Sequence, residues 1–169
     1  MKKLVVATAL LLTPYLAIAN SDLARSEIIT GFSDINSNYS QSTAINQIGS
    51  GNRAYSNQQG INNHAVIVQQ GNGNQGRINQ SSSNNYALIA QRGTGNSADI
   101  TQLSSNNTAV IAQLGSGNND SIIQDSFGNS AYIFSIGKNN ITQINQTGTN
   151  RSAGVVQNAS GMAIRVTQH

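Results

Sequence analysis

Apolar and polar residues alternate in short blocks along most of this chain, and nearly every block is centred on a branched aliphatic. The centres are Ile45, Ile67, Ile78, Ile89, Ile100, Ile111, Ile122, Ile133, Ile144, Val155 and Val166, with Ser56 as the gap in the series. Two residues after the centres stands glutamine: Gln47, Gln58, Gln69, Gln80, Gln91, Gln102, Gln113, Gln124, Gln146, Gln157 and Gln168, interrupted only by Ser135. Asparagine follows most of these glutamines five residues later, at Asn52, Asn63, Asn74, Asn85, Asn96, Asn107, Asn118, Asn129 and Asn140. A fixed beat held without insertion is the mark of stacked repeats. Period-two alternation in units of the form Ala-x-Ile-x-Gln predicts strands with Ala, Ile and Gln on one face.

The connectors between strands alternate in kind. Gly-x-Gly-Asn closes 49–52, 71–74, 93–96 and 115–118, whereas the intervening connectors end Asn62-Asn63, Asn84-Asn85, Asn106-Asn107 and Gly128-Asn129. The outward positions alternate too. First strands carry Val66/Val68, Leu88/Ala90, Val110/Ala112, Tyr132/Phe134 and Gly154/Val156, and second strands carry Arg77/Asn79, Asp99/Thr101, Ser121/Ile123, Gln143/Asn145 and Arg165/Thr167. The true repeat is therefore two strands long. The reading is an all-β, two-sheet β-solenoid of six strand-turn-strand repeats: 41–62, 63–84, 85–106, 107–128, 129–150 and 151–169.

Stacked coils would set neighbouring strands about 4.8 Å apart, with backbone groups paired to the coil above and below. An Ile ladder and an Ala ladder fill the interior. A buried amide left unpaired costs roughly 1–3 kcal/mol. In register, each Gln or Asn amide is expected to donate to the amide of the next coil, so a ladder satisfies what a single residue could not. Both end coils are left with unpaired strand edges, which template any chain of matching repeat.

Composition agrees with a chain that stacks. Of 169 residues only 9% are charged, there is no cysteine or tryptophan, and the one proline is Pro14. Low charge with abundant Asn, Gln, Ser and Gly is a β-aggregation profile. Lys2 and Lys3 before the apolar run Leu4 to Leu12, then Ala17-Ile18-Ala19, read as a secretory signal peptide over 1–19. Its removal would take two lysines from a net charge of +3 and leave +1. Residues 20–40 lack the period and read as a poorly ordered export or recognition segment. No later stretch is apolar enough to cross a bilayer as a helix.

The spacing Asn-x5-Gln-x4-Asn-x5-Gln, seen at Asn63, Gln69, Asn74, Gln80, then Asn85, Gln91, Asn96, Gln102, then Asn107, Gln113, Asn118, Gln124, resembles the curlin repeat of bacterial curli, the functional amyloid of biofilms. Met162 to Gln168, together with Asp22-Leu23-Ala24 and Ser26-Glu27, resemble the minor, nucleating class of that family. The resemblance implies Sec export, release through an outer-membrane secretion pore, attachment with an accessory surface factor, self-association, and seeding of the major curlin subunit into extracellular fibres for adhesion. Six repeats depart from the five this resemblance leads one to expect.

Two surfaces carry local expectations. Arg151 and Met162 replace ladder asparagines in the last coil, and Arg165 and His169 add positive charge there. They read as an anchor or growth block at that end; an ordinary atypical terminal repeat is the plainer alternative. Val66, Val68, Leu88, Val110, Tyr132, Phe134 and Val156 form an outward apolar stripe that reads as a lateral packing face. Catalytic, cofactor and metal sites are not expected. His64 and His169 lack ligand spacing, Asp99, Asp120 and Asp125 form no periodic carboxylate pair, and no Lys follows the Gly-rich turns as in a phosphate loop. Arg53, Arg77, Arg92 and Lys138 are dispersed, so no specific nucleic-acid partner is expected. The alternatives to a nucleator are a major curlin subunit and a monomeric surface-binding solenoid.

Overall fold

A computed structural model describes residues 40–169. The expectations for 1–19 and for all but the last residue of 20–40 lie outside the described residues. The chain forms β1 (Ser42–Ile48), β2 (Arg53–Gln58), β3 (His64–Asn72), β4 (Gln75–Gln80), β5 (Tyr86–Thr94), β6 (Ser97–Gln102), β7 (Thr108–Ser116), β8 (Asn119–Gln124), β9 (Ser130–Lys138), β10 (Ile141–Gln146), β11 (Ser152–Asn158) and β12 (Ala163–Gln168). Odd strands build one parallel sheet in the order β1-β3-β5-β7-β9-β11, and even strands build the other. Each consecutive odd–even pair is one coil of a solenoid with six coils.

Register follows the sequence period without a slip. Ile67 pairs with Ile89, Ile89 with Ile111 and Ile111 with Ile133, so every residue lies beside its counterpart 22 positions away. Register is pinned because a one-residue shift would turn every buried side chain outward. The twelve apolar positions Ala65, Ile67, Ile78, Ala87, Ile89, Ile100, Ala109, Ile111, Ile122, Ala131, Ile133 and Ile144 are at most 1% exposed. Each buried Ile contributes about 1.5–3 kcal/mol by leaving water.

The two corner types use different backbone solutions. Corners before an odd strand turn on left-handed Asn62, Asn84, Asn106 and Asn150, or on Gly128. Corners before β2, β4, β6 and β8 use a glycine pair such as Gly93 (φ 127°) and Gly95 (φ 65°), whereas Gly137 with Asn139 serves before β10 and Gly161 alone before β12. At Gly93 a Cβ would run into the carbonyl of Gly115 in the next coil. Glycine is needed there for close approach of coils as well as for the backbone angle.

Two departures from the sequence reading concern the interior. The Ala ladder is regular in the odd sheet only. In the even sheet the same inward positions run Ala54, Gly76, Ala98, Asp120, Thr142 and Ile164. Asp120 is thus a core residue, not an acid off the period, and it is 1% exposed. The ladders are also open at their ends. Among the described residues no coil covers β1, and Ile45 is 39% exposed; Ile164 and Val166 are half-buried at the other end, where β12 pairs on one side only. Among the described residues no helix is long and apolar enough to cross a membrane.

Candidate functional site

The inward amides and the two solenoid ends form one system, because the amides run the length of the stack and stop at its edges. In the even sheet Gln58, Gln80, Gln102, Gln124, Gln146 and Gln168 form an unbroken chain, each Nε2 donating to the Oε1 of the next coil. In the odd sheet Gln47, Gln69, Gln91 and Gln113 do the same. These rungs span 2.6–2.9 Å. The second Nε2 proton crosses the interior to a backbone carbonyl of the facing strand, as from Gln91 to Gln75 at 2.9 Å. Gln69, Gln80, Gln91, Gln102, Gln124 and Gln146 therefore tie their coils both to the next coil and to the opposite sheet.

The asparagines differ from the expected amide-to-amide ladder. At Asn85, Asn107 and Asn129 the backbone N–H donates to the Oδ1 of the preceding coil's Asn63, Asn85 and Asn107, at 3.0, 3.0 and 2.8 Å. Side-chain contact is added only in the other series, where Asn74, Asn96 and Asn118 donate through Nδ2 to the previous Asn at 3.1–3.2 Å. Asn is one methylene shorter than Gln, which keeps its carboxamide against the corner backbone. There Nδ2 also satisfies corner carbonyls, as from Asn96 to Gly115 at 3.0 Å. Gln41 does the same at the first corner, where no Asn stands, donating to the Gly60 carbonyl at 2.7 Å.

The odd Gln ladder breaks at Ser135. With no Gln opposite, Gln113 Nε2 donates to Asp120 Oδ2 at 2.8 Å. Thr142 Oγ1 donates to Gln157 Oε1 at 2.7 Å. A polar cluster replaces apolar and amide packing between coils four and five. Burial raises Asp120 above the ordinary aspartate value of 3.8, against weaker opposing hydrogen bonds from Ser135, Gln113 and Thr142. The sequence holds a signal for this cluster: Asp120 lies 22 residues from both Ala98 and Thr142, beside the one gap in the glutamine series.

The end coils are not alike. Backbone N–H groups of Arg151 and Met162 donate to Asn129 and Asn140 Oδ1, at 2.8 and 3.2 Å, so the last coil accepts the asparagine series. Neither residue has an Oδ1 to offer onward. Ala159 also stands where the preceding coils carry Gly49, Gly71, Gly93, Gly115 and Gly137. Arg165 is exposed, and His169 Nδ1 lies 3.0 Å from Thr147 Oγ1.

The outer face of the odd sheet carries the apolar stripe in register. Val66, Leu88, Val110 and Tyr132 form one row, and Val68, Ala90, Ala112, Phe134 and Val156 another. Small Ala90 and Ala112 leave a shallow groove of ≈ 300 Å³ between that row and Arg92, Leu114 and Ile136. The even sheet's outer face is mostly polar, with Arg77 3.8 Å from Asp99. Asp99 is also raised, mainly by burial, with the Arg77 charge and a Thr101 hydrogen bond opposing.

Residues 71–103 and 93–125 match the family model of the curlin associated repeat. The match supports the curlin family. Both matched stretches begin at a corner glycine, Gly71 or Gly93, and run through a complete Asn–Gln coil. Each matched stretch covers about one and a half coils, with two glycine corners and three inward glutamines: Gln80, Gln91 and Gln102 in the first, Gln102, Gln113 and Gln124 in the second. None of the curated proteins compared with the chain matches it. Among the described residues no three His, Asp or Glu side chains come together as a metal site would require.

Proposed function

We propose that this chain is a curli subunit of the nucleating kind, which seeds polymerisation of a major curlin subunit into extracellular fibres. One observation carries the reading. In-register Gln rungs run through all six coils of the even sheet, yet among the described residues β1 and β2 at one end and β11 and β12 at the other pair on one side only. Such edges present backbone N–H and C=O groups to any strand of matching period. Curlin repeats point to a structural, non-enzymatic subunit that self-associates. Sec export, the outer-membrane pore and the accessory surface factor belong to the same proposal.

The nucleating role is supported by the unequal ends. A bulk subunit must stack on its own kind, so its β11/β12 face should offer every acceptor that its β1/β2 face can fill. Here the β1/β2 face ends on regular Gln47 and Gln58 rungs, open to a coil that brings its own asparagines. The β11/β12 face offers Gln157 and Gln168 but neither asparagine acceptor. Growth then proceeds from the β1/β2 end, while Arg151, Met162, Arg165 and His169 hold the other end at the cell surface. Lateral packing of fibres uses the stripe from Val66 to Val156.

Adding purified chain at low molar ratio to fresh major curlin subunit tests the role. Loss of the lag phase is expected. An unchanged lag with normal self-polymerisation would assign the chain to the bulk subunit, and a thioflavin-negative monomer would make it a surface-binding solenoid.

A further inference from the structure

Asp120 occupies the interior slot that Ala98 fills one coil earlier and Thr142 one coil later. It is 1% exposed, and its Oδ1 has no hydrogen-bond partner. Gln113 donates to Oδ2. Ser135 and Thr142 lie near the carboxyl, but each hydroxyl has one proton. Thr142 gives its proton to Gln157 Oε1, and Ser135 Oγ lies 3.5 Å from that same oxygen. No charged side chain faces Asp120 from β6, β7, β9, β10 or β11, whose nearby inward residues are Ala98, Gln113, Ser135, Thr142 and Gln157. An ionised carboxylate here would exchange its water for the Gln113 N–H and weaker approaches from Ser135 and from the Thr142 hydroxyl and backbone, which burial outweighs in the absence of a counter-charge. A neutral carboxyl needs no counter-charge and can itself donate a hydrogen bond.

We infer that the solenoid closes around a protonated Asp120: coils four and five take up one proton as they stack, so acidification favours folding and growth and alkaline conditions oppose them. The sign follows from linkage. Burial makes the folded chain hold this proton more tightly than the unfolded chain. The stabilisation is complete below the unfolded-state value and is lost as pH rises through the folded-state one. Gln113, released from its ladder by Ser135, is the positioning residue that keeps the carboxyl in the interior.

The kinetic part of the test rests on the proposed self-assembly; the spectroscopic part does not. Growth rates of the full chain are measured against pH for wild type, Asp120→Asn, Asp120→Ala and Asp99→Asn. Wild type is expected to slow by up to about tenfold per pH unit, the limit for one linked proton. Both Asp120 variants should flatten that dependence, and Asp99→Asn, whose carboxyl is also raised but lies on the outer face beside Arg77, should flatten it less. Infrared spectra of protein labelled with ¹³C at aspartate carboxyls should contain a neutral-carboxyl band at about pH 5, where free aspartate is ionised. That band should weaken in Asp120→Asn and persist in Asp99→Asn. Parallel pH profiles for wild type and both Asp120 variants, or no such band in folded wild type, overturn the inference. A chain that folds but never assembles would sink the curli reading and still leave the band to decide this one.

Discussion

Restoring the missing asparagines at the β11/β12 end should convert a poor template into a good one. In the double variant Arg151→Asn, Met162→Asn, each new Oδ1 would face the next copy where Asn129 and Asn140 now accept the N–H groups of residues 151 and 162. An incoming first coil, stacked with the same 22-residue step, would bring the N–H groups of Gln41 and Asn52 to those acceptors. The glutamine rungs need no repair, because Gln157 and Gln168 already stand opposite Gln47 and Gln58 in that stack. Two added hydrogen bonds at about 0.5–1.5 kcal/mol each total about 1–3 kcal/mol. That corresponds to roughly 5- to 150-fold in the docking equilibrium of each copy stacked on another. Copies of this chain form the same β11/β12-to-β1/β2 interface whichever end they join, so the gain should appear at both ends of a fibre of the variant alone. Single-fibril imaging reads the elongation rate and the residual monomer concentration of variant and wild type. If the variant's residual monomer concentration is no lower than that of wild type, the acceptor argument is wrong.

Other consequences follow from packing. Ile100→Ala should destabilise the assembled protein by about 2–5 kcal/mol in denaturant titrations, whereas Ile45→Ala, at a 39% exposed site, should cost a fraction of that. Gly93→Ala should abolish ordered stacking, since the new methyl meets the Gly115 carbonyl. Gly95→Ala, with open space around it, should cost only the left-handed backbone penalty of about 1–2 kcal/mol. Thioflavin kinetics separate the two. Charged residues at Val68, Leu88 and Val110 together should leave seeding intact and abolish fibre bundling in electron micrographs; retained bundling would remove the lateral-face reading.

How much was legible in the sequence depended on whether the period alone decided the answer. Two sheets, six coils and in-register pairing follow from Ile and Gln recurring at fixed spacing, because only one register buries Ile67, Ile89 and Ile111 together. The glycine-pair and Asn corners were readable for the same reason. Side-chain reach was not. Nothing in the spacing of Asn63, Asn85 and Asn107 says that Oδ1 takes a backbone N–H while the longer Gln pairs amide to amide. Asp120 is obscure for a different reason: its residue type suggests an exposed acid, and only its register, counted from Ala98, puts it inside. A repeat protein's chemistry is read most reliably at positions that break the repeat, once those positions are placed on the coil.

The two amide series run in opposite senses, and this makes the solenoid directional. Gln N–H bonds point from each coil toward the C-terminal end, as from Gln80 to Gln102. Asn Oδ1 acceptors also face that end, receiving N–H groups that point back, as from Asn107 to Asn85. A complete C-terminal face must therefore offer both Gln donors and Asn acceptors, and this chain retains only the donors. The N-terminal face needs Gln acceptors and corner donors, and Gln47, Gln58 and Asn52 supply them. Unequal ends thus arise from two substitutions in a single coil, with the strand register untouched. Selection acting on residues 151 and 162 alone could tune how polar growth is, without altering the fold that makes growth occur.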